Sequence, residues 1–491
     1  MSHHQPGTDT EPRSGEGSPL SPNKNVTLTI DGIPVTVPEG TRILEAAKKA
    51  NVNIPTLCEH PDLCKRALCR ICVVEADGRG KLIAACANDV WEGVNIVTAN
   101  QRLLNVRKTI VELILADHPQ DCLSCIRNKN CELQSLAKKF SVDGSLFHNG
   151  EKERISSPSS LPSVSIESET LVRDMGKCVK CGRCVEACQE VQTIRAINTS
   201  CRSHEYEIST PYKQALKDGP CVFCGQCAAV CPVGAIYEHD QTAQVWDSLN
   251  NKERHVIAQV SPAIISAINK EFDLSADKTN GKITAGKIAA ALRLLGFNRV
   301  YDTDVAANAA NSEICGEVEH RIKNSGKLPI ISGCSQGVFN FIKCFYPGLT
   351  DHLTTGKNFR QIFASSIKDS YSKEAEIEPS IITSVSFVPC IAQKYGIGEK
   401  NKTDFALTAG ELARMIKLAG IAVETLSEEP FDSAVNTELQ KQDNPVLPVK
   451  KETVHGFANA RKVMEAIRKG ECDAQWVEIE SCPGGSCSCE K

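Results

Sequence analysis

The cysteines constrain this chain more than any other feature, because they fall into blocks of short, repeated spacing. The chain has 25 cysteines among 491 residues. In a long chain without a secretion signal, so many cysteines are more typical of metal binding or redox chemistry than of a disulfide framework. The blocks therefore indicate both the domains of the chain and its chemistry.

The rest of the composition is that of an ordinary globular protein and argues against two classes of function. Lys and Arg number 56 and Asp and Glu 60, so the net charge of -4 lacks the basic excess that nucleic-acid binding requires. No run approaches the roughly 18 apolar residues that span a bilayer. Residues 1–25 are polar and resemble neither a signal peptide nor a transit peptide, which predicts a disordered tail on a cytoplasmic protein.

The first cysteine block follows a predicted β-hairpin and helix. Residues 26–37 alternate around an Asp31-Gly32 turn, and Thr41 is expected to cap a short helix that runs to Asn51. The block consists of Cys58, Cys69, Cys72 and Cys86. Four thiolates, with the central pair separated by two residues, suit a [2Fe–2S] cluster.

Two strings around these cysteines carry a family resemblance. Leu57-Cys58-Glu59-His60-Pro61 and Cys69-Arg70-Ile71-Cys72 resemble the plant-type ferredoxin domain that opens the large subunits of hydrogenases and complex I. The resemblance implies a ubiquitin-like fold. The chain departs from that family at Ala67, where a glycine is usual, and Cys64 is interpreted as a spare thiol inside the loop.

The second block follows a predicted helix over residues 101–116. That helix is expected to present one apolar face, formed by Leu103, Val106, Ile110, Leu113 and Ile114. The block itself is His118, Cys122, Cys125 and Cys131, and it resembles the [4Fe–4S] site with one histidine and three cysteines of the same large subunits. A neutral imidazole in place of a charged thiolate is expected to raise the reduction potential.

The third block is a four-cysteine run that occurs twice. One copy is Cys178, Cys181, Cys184 and Cys188, and the other is Cys221, Cys224, Cys227 and Cys231, followed by Pro232. This is the spacing of bacterial two-cluster ferredoxins, in which the fourth cysteine of each run ligates the other cluster. One predicted [4Fe–4S] set is therefore completed by Cys231 and the other by Cys188. A zinc site, which needs only four ligands, would not explain the repeat.

From residue 254 the pattern changes to alternating strands and helices, which predicts an α/β domain. Strands are expected at 255–260, 299–302, 328–332, 385–389 and 475–479, and a long helix at 282–295. Four cysteines outside the blocks are interpreted as buried small hydrophobes, namely Cys201, Cys315, Cys344 and Cys472.

Several strings make residues 26–491 resemble [FeFe]-hydrogenase catalytic subunits. Those at the family's three active-site loops are Ser332-Gly333-Cys334-Ser335-Gln336-Gly337, Val388-Pro389-Cys390-Ile391-Ala392-Gln393-Lys394 and Glu480-Ser481-Cys482-Pro483-Gly484-Gly485-Ser486-Cys487. Val260-Ser261-Pro262-Ala263 and Thr408-Ala409-Gly410-Glu411-Leu412-Ala413 also match. The resemblance implies a fold built from successive iron–sulfur modules and a final hydrogenase-like domain.

The predicted fold class is accordingly modular α+β. The expected modules are a disordered tail at 1–25, a ubiquitin-like [2Fe–2S] ferredoxin domain at 26–100, a [4Fe–4S] module with one histidine and three cysteine ligands at 101–140, a linker at 141–169, a two-[4Fe–4S] bacterial ferredoxin domain at 170–245 and an α/β hydrogenase-like domain at 254–491. The cofactors expected in the first three modules are one [2Fe–2S] and three [4Fe–4S] clusters.

The hydrogenase-like site departs from its family at most positions that hold the diiron catalyst. The resemblance places Ser335 at a cluster-ligand position, Ser486 at the bridging cysteine, Gln393 at the cyanide-binding lysine, and Val388 and Glu480 at two packing methionines. Cys334 aligns with the proton-relay cysteine, and Glu313-Ile314-Cys315-Gly316-Glu317 replaces the proton-path string Glu-Glu-x-x-Glu. A serine hydroxyl is a poor ligand for soft iron. The departures argue against H₂ chemistry and against a diiron subcluster.

The rear cysteines leave two alternatives open. Cys334, Cys390, Cys482 and Cys487 are candidate ligands of a fourth [4Fe–4S] cluster if the loops shift by one residue. The other alternative is a domain without a cofactor, retained for packing and partner contact.

The expected function is electron transfer within a multisubunit oxidoreductase, with no catalytic residue of its own. No Gly-x-Gly-x-x-Gly follows a strand, so NAD(P)H is expected to react on a partner. The family resemblance implies a flavin-bearing NAD(P)H subunit, a small [2Fe–2S] subunit and ferredoxin as partners, in a complex that bifurcates electrons in some relatives. The alternatives are an active [FeFe] hydrogenase with an unusual H-cluster, a redox or H₂ sensor, and a complex-I-like subunit.

Overall fold

A computed structural model describes residues 24–63, 66–77, 82–143, 147, 164–272, 274, 282–356, 359–396, 403–432 and 449–484. The chain divides into two compact units. The first lies within residues 1–59, 65–117 and 133–148, and the second within residues 60–64, 118–132 and 149–491. Cys64, Ser486, Cys487 and most of the expected tail and linker lie outside the described residues.

The first unit is a five-stranded sheet with helices. Its elements are β1 (Asn25–Ile30), β2 (Ile33–Pro38), α1 (Ile43–Lys49), β3 (Val73–Ala76), β4 (Leu82–Ala84), β5 (Asn95–Val97), α2 (Gln101–Ala116) and α3 (Glu132–Phe140), whose first residue belongs to the second unit. The strand order is β2-β1-β5-β3-β4. β1 pairs parallel with β5, and the other pairs are antiparallel.

The predicted hairpin is confirmed, with Asp31 and Gly32 at φ 49° and 81° in its turn. The predicted cap of α1 is wrong. The helix begins at Ile43 after Arg42, and the Thr41 hydroxyl donates to the Pro38 carbonyl instead of capping the helix. The residue at the N-cap position is Arg42, and no side chain accepts a hydrogen bond from the first turn of α1.

Helix α2 has the predicted bounds, but it buries a different face. The buried row includes Leu103, Arg107, Val111 and Leu115, whereas Leu113 is exposed. This row follows a four-residue spacing that contains a charged side chain, and for that reason an apolar pattern alone did not identify it.

The second unit begins with a small antiparallel region that carries the repeated cysteines. Its elements are β6 (Val164–Ile166), β7 (Leu171–Asp174), α4 (Arg183–Glu186), β8 (Asn198–Ser200), β9 (Glu207–Ser209), α5 (Gln226–Ala229), β10 (Ile236–Glu238) and α6 (Thr242–Asn250). Strands β10-β7-β6 form one sheet and β8-β9 another. Each of the short helices α4 and α5 follows a glycine in the left-handed conformation, Gly182 at φ 79° and Gly225 at φ 77°.

The remainder of the second unit is the predicted α/β domain. Its elements are β11 (His255–Val260), α7 (Ile264–Glu271), α8 (Ala285–Leu294), β12 (Arg299–Asp302), α9 (Asp304–Lys323), β13 (Ile330–Gly333), α10 (Gln336–Phe345), α11 (Phe359–Glu374), β14 (Ile382–Val388), β15 (Phe405–Thr408), α12 (Ala409–Leu418), β16 (Lys451–His455), α13 (Phe457–Lys469) and β17 (Trp476–Glu480). The strands form two parallel sheets, β12-β11-β14-β15 and β13-β17-β16.

These sheets position the rear cysteines. Cys334, Cys390 and Cys482 each lie one or two residues beyond the carboxyl end of a parallel strand, β13, β14 and β17 respectively. The carboxyl ends of parallel strands are where α/β folds build their ligand sites. The described part of the α/β domain therefore holds its candidate site where its topology predicts one.

Two of the cysteines interpreted as buried are exposed, Cys201 and Cys344, whereas Cys315 and Cys472 are half-buried. Cys201 adopts a positive φ of 59°, which places it in a turn rather than in a core. No helix in the described ranges is long and apolar enough to cross a membrane.

The departure at Ala67 generates a stability prediction. Ala67 has φ 52°, a left-handed conformation that costs an L-residue roughly 1–2 kcal/mol. Ala67→Gly removes that strain at the cost of a more flexible unfolded chain, so we expect a gain of about 0.5–1 kcal/mol. The thermal midpoint of the visible circular dichroism of the loaded protein measures the change.

Ala137→Gly is the matched control, because Ala137 lies inside α3. There glycine is expected to destabilise by about 1 kcal/mol. A lower midpoint for Ala67→Gly would contradict the strain assigned to this residue.

Candidate metal centres

The four cysteines of the first block lie together within the first unit. The Cys72 and Cys86 sulfurs are 3.3 Å apart, and the Cys69 N–H donates to the Cys58 sulfur at 3.5 Å. A hydrogen bond with Cys58, together with burial, raises the pKa of Cys69, and a hydrogen bond with Cys72, together with burial, raises the pKa of Cys86. The hydrogen bond with Cys86 lowers the pKa of Cys72 to about 7, so the pair shares its protons unequally. Cys69 and Cys86 would become thiolates beside a strong positive charge, which iron would supply.

A buried cation lies against this block. Arg107 of α2 is 3% exposed, and its guanidinium donates to the carbonyls of Ile71 (3.2 Å) and Val73 (2.6 Å), on either side of Cys72. Burial lowers the pKa of Arg107, and the charge of Cys72 opposes this effect. Arg107 was not predicted from the sequence; the signal was an arginine at the centre of the Leu103, Val111 and Leu115 row.

The second block belongs to the second unit. His118 Nδ1 is buried and has no hydrogen-bond partner, while the ring bonds to the Lys177 backbone. Burial lowers the pKa of His118 and so favours the neutral imidazole. Metal-binding histidines show this pattern, in which one nitrogen bonds to a carbonyl and the other is left for the metal.

The cysteines of this block lie in the turns that follow. The Cys125 N–H donates to the Cys122 carbonyl at 3.2 Å. Lys177, which binds Asp121 at 3.2 Å, is influenced electrostatically by Cys125 and also influences His118. A Cβ added to Gly234 would lie 2.9 Å from the Cys125 sulfur, so the backbone approaches that sulfur closely. His118 and Cys125 thus lie near one another around Lys177.

The two copies of the third block have matching backbone geometry. The Lys180 N–H donates to the Cys178 sulfur at 3.4 Å, and the Phe223 N–H donates to the Cys221 sulfur at 3.4 Å. Lys180 and Phe223 both have positive φ, 55° and 50°. Each copy therefore wraps its backbone amides around its sulfurs in the same way, as a pseudo-twofold repeat requires.

The fourth cysteine of each copy lies with the other copy. A small cavity is lined by Cys178, Cys181, Cys184 and Cys231. The charge of Cys188 acts on Cys221, Cys224 and Cys227, and that of Cys231 acts on the first three cysteines of the other copy. The structure thus brings together the eight sulfurs in the two crossed groups that the spacing predicts.

Burial disfavours the thiolate form of these cysteines. It raises the pKa of Cys178 to about 11 and the pKa values of Cys181 and Cys224 to about 12. Among the described residues, no three His, Cys, Asp or Glu side chains converge as a mononuclear metal site would require. To bind as thiolates, the buried sulfurs of the repeated block would need compensating positive charge, which the iron of a [4Fe–4S] cluster would supply.

The rear cysteines lie around Ser481. The Ser481 N–H donates to the Cys334 sulfur at 3.4 Å, and the hydroxyls of Ser335 and Ser481 are 3.0 Å apart. Cys390 and Cys482 pack together in one buried cluster with Ala392. Cys482 is disulfide-bonded, so its sulfur must be reduced before it can bind iron as a thiolate. Cys487 lies outside the described residues.

Lys394 lies one residue after the position of the family's cyanide-binding lysine. Its ammonium bonds to acidic side chains and a carbonyl rather than to the rear cysteines. Its ammonium is fully buried and bonds to both Glu411 carboxylate oxygens (2.8 Å each), to Glu238 (3.1 Å) and to the His239 carbonyl (2.7 Å). Burial and the charge of Glu238 raise the pKa of Glu411 to about 7, against the effect of Lys394. The second cysteine loop is thereby anchored by a buried ion cluster that was not predicted from the sequence.

The side chains at three other positions that depart from the family, Glu480, Val388 and Glu317, make contacts outside the pocket or lie buried in a strand. The Glu480 carboxylate lies 2.9 Å from His455 Nδ1, and Val388 is fully buried in its strand. Glu317, in the string that aligns with the proton path, is held by Arg321 and by the Thr354 hydroxyl at 2.7 Å. These contacts are structural, and none of them directs a proton donor toward the rear cysteines.

Comparison with protein families gives the same modules in the same order. The matching models are described as a 2Fe-2S iron-sulfur cluster binding domain (residues 23–101), an NADH-ubiquinone oxidoreductase-G iron-sulfur binding region (107–145), a 4Fe-4S dicluster domain (177–235) and the iron only hydrogenase large subunit, C-terminal domain (254–445 and 436–489). The predicted succession of iron–sulfur modules and a hydrogenase-like domain is confirmed at this level.

Individual relatives span most of the chain. The NADP-reducing hydrogenase subunit HndD of Solidesulfovibrio fructosivorans is 33% identical over 94% of this chain and 87% of its own length. Iron hydrogenase 1 of Clostridium pasteurianum is 31% identical over 83% of this chain and 71% of its own length. A solved structure of [FeFe]-hydrogenase HydA1 from Chlamydomonas reinhardtii aligns with a TM-score of 0.44 and 20% identity, over 50% of this chain and 83% of that one.

The buried guanidinium beside Cys72 generates a prediction about redox potential. Arg107→Met removes a positive charge that would stabilise the more negative, reduced state of an adjacent cluster. We expect the midpoint potential of the [2Fe–2S] signal to fall, by about 59 mV for each 1.4 kcal/mol of lost one-electron stabilisation. Redox titration followed by electron paramagnetic resonance (EPR) measures this potential.

Arg102→Met is the matched control, because Arg102 lies on the same helix with a largely exposed side chain. It should leave the potential unchanged. Equal potentials for the two variants would show that Arg107 only braces the loop.

Proposed function

Because the chain belongs to the iron-only hydrogenase large-subunit family, we propose that it is an iron–sulfur electron-transfer subunit of a multisubunit NAD(P)H-linked oxidoreductase. The observation that carries the proposal is the crossed grouping of the repeated cysteines, with Cys231 beside Cys178, Cys181 and Cys184. Two [4Fe–4S] clusters held in this way lie close together, as single-electron transfer requires.

The proposed ligand sets follow these sulfur groups. Cys58, Cys69, Cys72 and Cys86 would hold a [2Fe–2S] cluster. His118, Cys122, Cys125 and Cys131 would hold a [4Fe–4S] cluster, and the crossed groups would hold two more. The clusters would supply one-electron chemistry, while the chain supplies backbone N–H donors, such as those of Lys180 and Phe223, that stabilise the sulfur charge.

The hydrogenase-like domain is proposed to lack H₂ chemistry. Ser335, at a ligand position, is hydrogen-bonded to Ser481. The Lys394 ammonium forms ion pairs with Glu238 and Glu411. A diiron catalyst would lose both a thiolate ligand and its ammonium anchor here. Cys334, Cys390, Cys482 and Cys487 remain as a proposed site for an ordinary [4Fe–4S] cluster once Cys482 is reduced.

The partners are proposed from the relatives and from the chemistry that this chain lacks. The HndD relative is described as a subunit of an NADP-reducing hydrogenase. By analogy, a flavin-bearing NAD(P)H subunit and a small [2Fe–2S] subunit would deliver electrons. A flavin is needed because the two electrons of a hydride must be separated before they enter this chain one at a time. Ferredoxin or a separate catalytic subunit would receive them, with electron bifurcation as one arrangement.

The proposal predicts the iron content and spectrum of the fully matured polypeptide. Iron analysis should give about 14 atoms per chain, or about 18 if the rear site also holds a cluster. Infrared spectra should show no CO or CN bands, and no H₂ should be evolved with a strong reductant. Metal-ligand CO and CN bands together with H₂ evolution would establish an active hydrogenase instead.

The crossed ligand assignment makes a separate prediction. Cys188→Ala should abolish the EPR signal of the cluster at Cys221, Cys224 and Cys227, although Cys188 is closer in sequence to the other three. Cys201→Ala is the control, since Cys201 is exposed and lies between the two copies. Loss of the signal from the Cys178, Cys181 and Cys184 cluster instead would refute the crossed assignment.

A further inference from the structure

The ion cluster around Lys394 brings two carboxylates to one ammonium. Lys394 and Glu411 have no exposed side-chain surface, and the Glu238 side chain is 20% exposed. The ammonium lies 2.8 Å from Glu411 and 3.1 Å from Glu238. With both carboxylates ionised, the ion cluster would hold one surplus negative charge in a place where charge is poorly solvated. One proton shared by this carboxylate pair, Glu238 and Glu411, would make the ion cluster neutral.

The Thr408 hydroxyl connects the two carboxylates. It lies 3.1 Å from Glu238 Oε2 and 3.4 Å from Glu411 Oε2. The backbone N–H groups of Thr408 and Gln241 donate to the two oxygens of Glu411, at 2.8 Å and 3.0 Å, and hold that carboxylate in place. Because a hydroxyl can donate one hydrogen bond while it accepts another, a proton can pass between the carboxylates through Thr408.

The groups around Glu411 come from the elements that pack against α12. Strands β14 and β15 carry no titratable side chain, α6 contributes the exposed Asp247, and α7 contributes the exposed Lys270 and Glu271. Arg414, on the next turn of α12, is paired with Asp240 at 2.8 Å. The ion pairs of Glu411 itself are therefore with Lys394, on the turn after Cys390.

Glu238 ends β10, which packs against β7 and α5. On β7, Arg173 is paired with Glu167 at 3.4 Å and Asp174 with Lys177 at 3.5 Å, while α5 contributes the Cys227 thiol. The next residue after Glu238 is His239, whose carbonyl accepts from Lys394. Burial and the charge of Glu238 raise the pKa of Glu411 to about 7, against the effect of Lys394. The carboxylate pair can therefore exchange one proton near neutral pH.

A cavity of about 130 Å³ lies between the carboxylate pair and the cysteines. Its wall includes Glu238 and Thr408, and also Cys224 and Cys390. Glu271, an exposed side chain of α7, lines the same cavity. A cavity of this size with carboxylates and a hydroxyl in its wall has room for several water molecules. Solvent protons thus have a route from Glu271 through the cavity to Glu238.

The backbone brings the two cysteine groups together at this cavity. A Cβ added to Gly225 would lie 2.9 Å from Ile391 Cβ, and these two residues directly follow Cys224 and Cys390. The turn that begins at Ile391 ends at Lys394. An electron added at Cys224 is therefore added beside the cavity that Glu238 lines. Where water is largely excluded, that negative charge and a proton on the carboxylate pair attract each other more strongly than in bulk water.

We propose that Glu238 and Glu411 are a redox-linked proton acceptor for the proposed [4Fe–4S] cluster at Cys224. One electron from the donor subunit enters that cluster, and one proton from water moves through the cavity onto the carboxylate pair. The region then gains no net charge, and reoxidation returns the proton to water. The proposal rests on the proposed function, because it requires Cys224 to be a cluster ligand.

The expected result is a midpoint potential that depends on pH. Below neutral pH the pair holds its proton in both redox states, so the potential of the cluster at Cys224 should be level. Above it the oxidised protein has lost the proton and reduction takes it up again, so the potential should fall as pH rises. The limit is about 59 mV per pH unit, the value of a tenfold change for one electron. Redox titrations followed by EPR, on the full chain loaded with its clusters and on both sides of neutral pH, measure this slope.

Two variants test the pair. Glu411→Gln removes one carboxylate and keeps an oxygen that can accept from the Thr408 N–H, and Glu238→Gln removes the other. Each leaves a single carboxylate balanced by Lys394, so we expect both to flatten the slope. Iron content and far-ultraviolet circular dichroism verify that the variants fold and load. A slope that survives in either variant, or a potential that is independent of pH in the unmodified chain, would overturn the proposal.

Glu317→Gln is the matched control. Glu317 is also a carboxylate held by a cation, Arg321, and by a hydroxyl, that of Thr354. It lies in α9, a helix that contributes none of the residues lining the cavity. Its potential should fall with pH as in the unmodified chain.

Infrared difference spectroscopy detects the proton itself. Above neutral pH, reduction of the loaded chain should produce the C=O stretching band of a protonated carboxylic acid. That band should be absent from the difference spectra of Glu411→Gln and Glu238→Gln and present in that of Glu317→Gln. The same band in all three variants would place the proton on another group and overturn the proposal.

Cys224→Ala separates failure of this inference from failure of the proposed function. If it abolishes one [4Fe–4S] signal while the potential in the unmodified chain is independent of pH, only the proton coupling fails. If it leaves every cluster signal intact, the ligand assignment on which the proposed function depends fails first.

Discussion

The structure depends on the burial of thiols in groups of four. Sulfur atoms with raised pKa values are stable in a folded chain only as neutral thiols or as thiolates beside a compensating cation. Cations of the described part of the chain act on these thiols, among them Arg107 on Cys72 and Arg173 and Arg183 on the repeated block, but the pKa values of the repeated thiols stay raised. Iron would supply further positive charge, so the folding of the cysteine-rich modules would be thermodynamically coupled to the loading of their clusters.

Backbone N–H groups are directed at sulfurs in both places, from Lys180 and Phe223 at the repeated block and from Ser481 at Cys334. The two places differ in their other polar contacts. Around Cys334 and Cys390 the polar contacts include a bond between two serines, and the ammonium of Lys394 is neutralised by Glu411 and Glu238. The hydrogenase-like domain keeps its two parallel sheets, while side chains at or beside its family's catalytic positions bond to one another.

Much of the local structure and of the cysteine grouping could be predicted from the sequence, because both depend on the spacing of residues along the chain. The Asp31-Gly32 turn, the bounds of α2 and the crossed partner of Cys231 all follow from local rules of turns, periodicity and cluster ligation. Arg107 and the Lys394 cluster could not, since their roles depend on partners far away in the chain. The predicted buried face of α2 was wrong for the same reason: a carbonyl pair beside Cys72 makes burial of an arginine favourable, and no helical pattern shows that.

The shared cavity lined by Cys178, Cys181, Cys184 and Cys231 has a consequence for how such a protein is made. During synthesis the first three of these residues leave the ribosome well before the fourth. With the proposed ligand sets, neither copy of the repeat could complete a site on its own. Iron insertion would wait until residue 227 has emerged for one site and until residue 231 has emerged for the other. With the same ligand sets, a chain interrupted between the copies would lose both sites together.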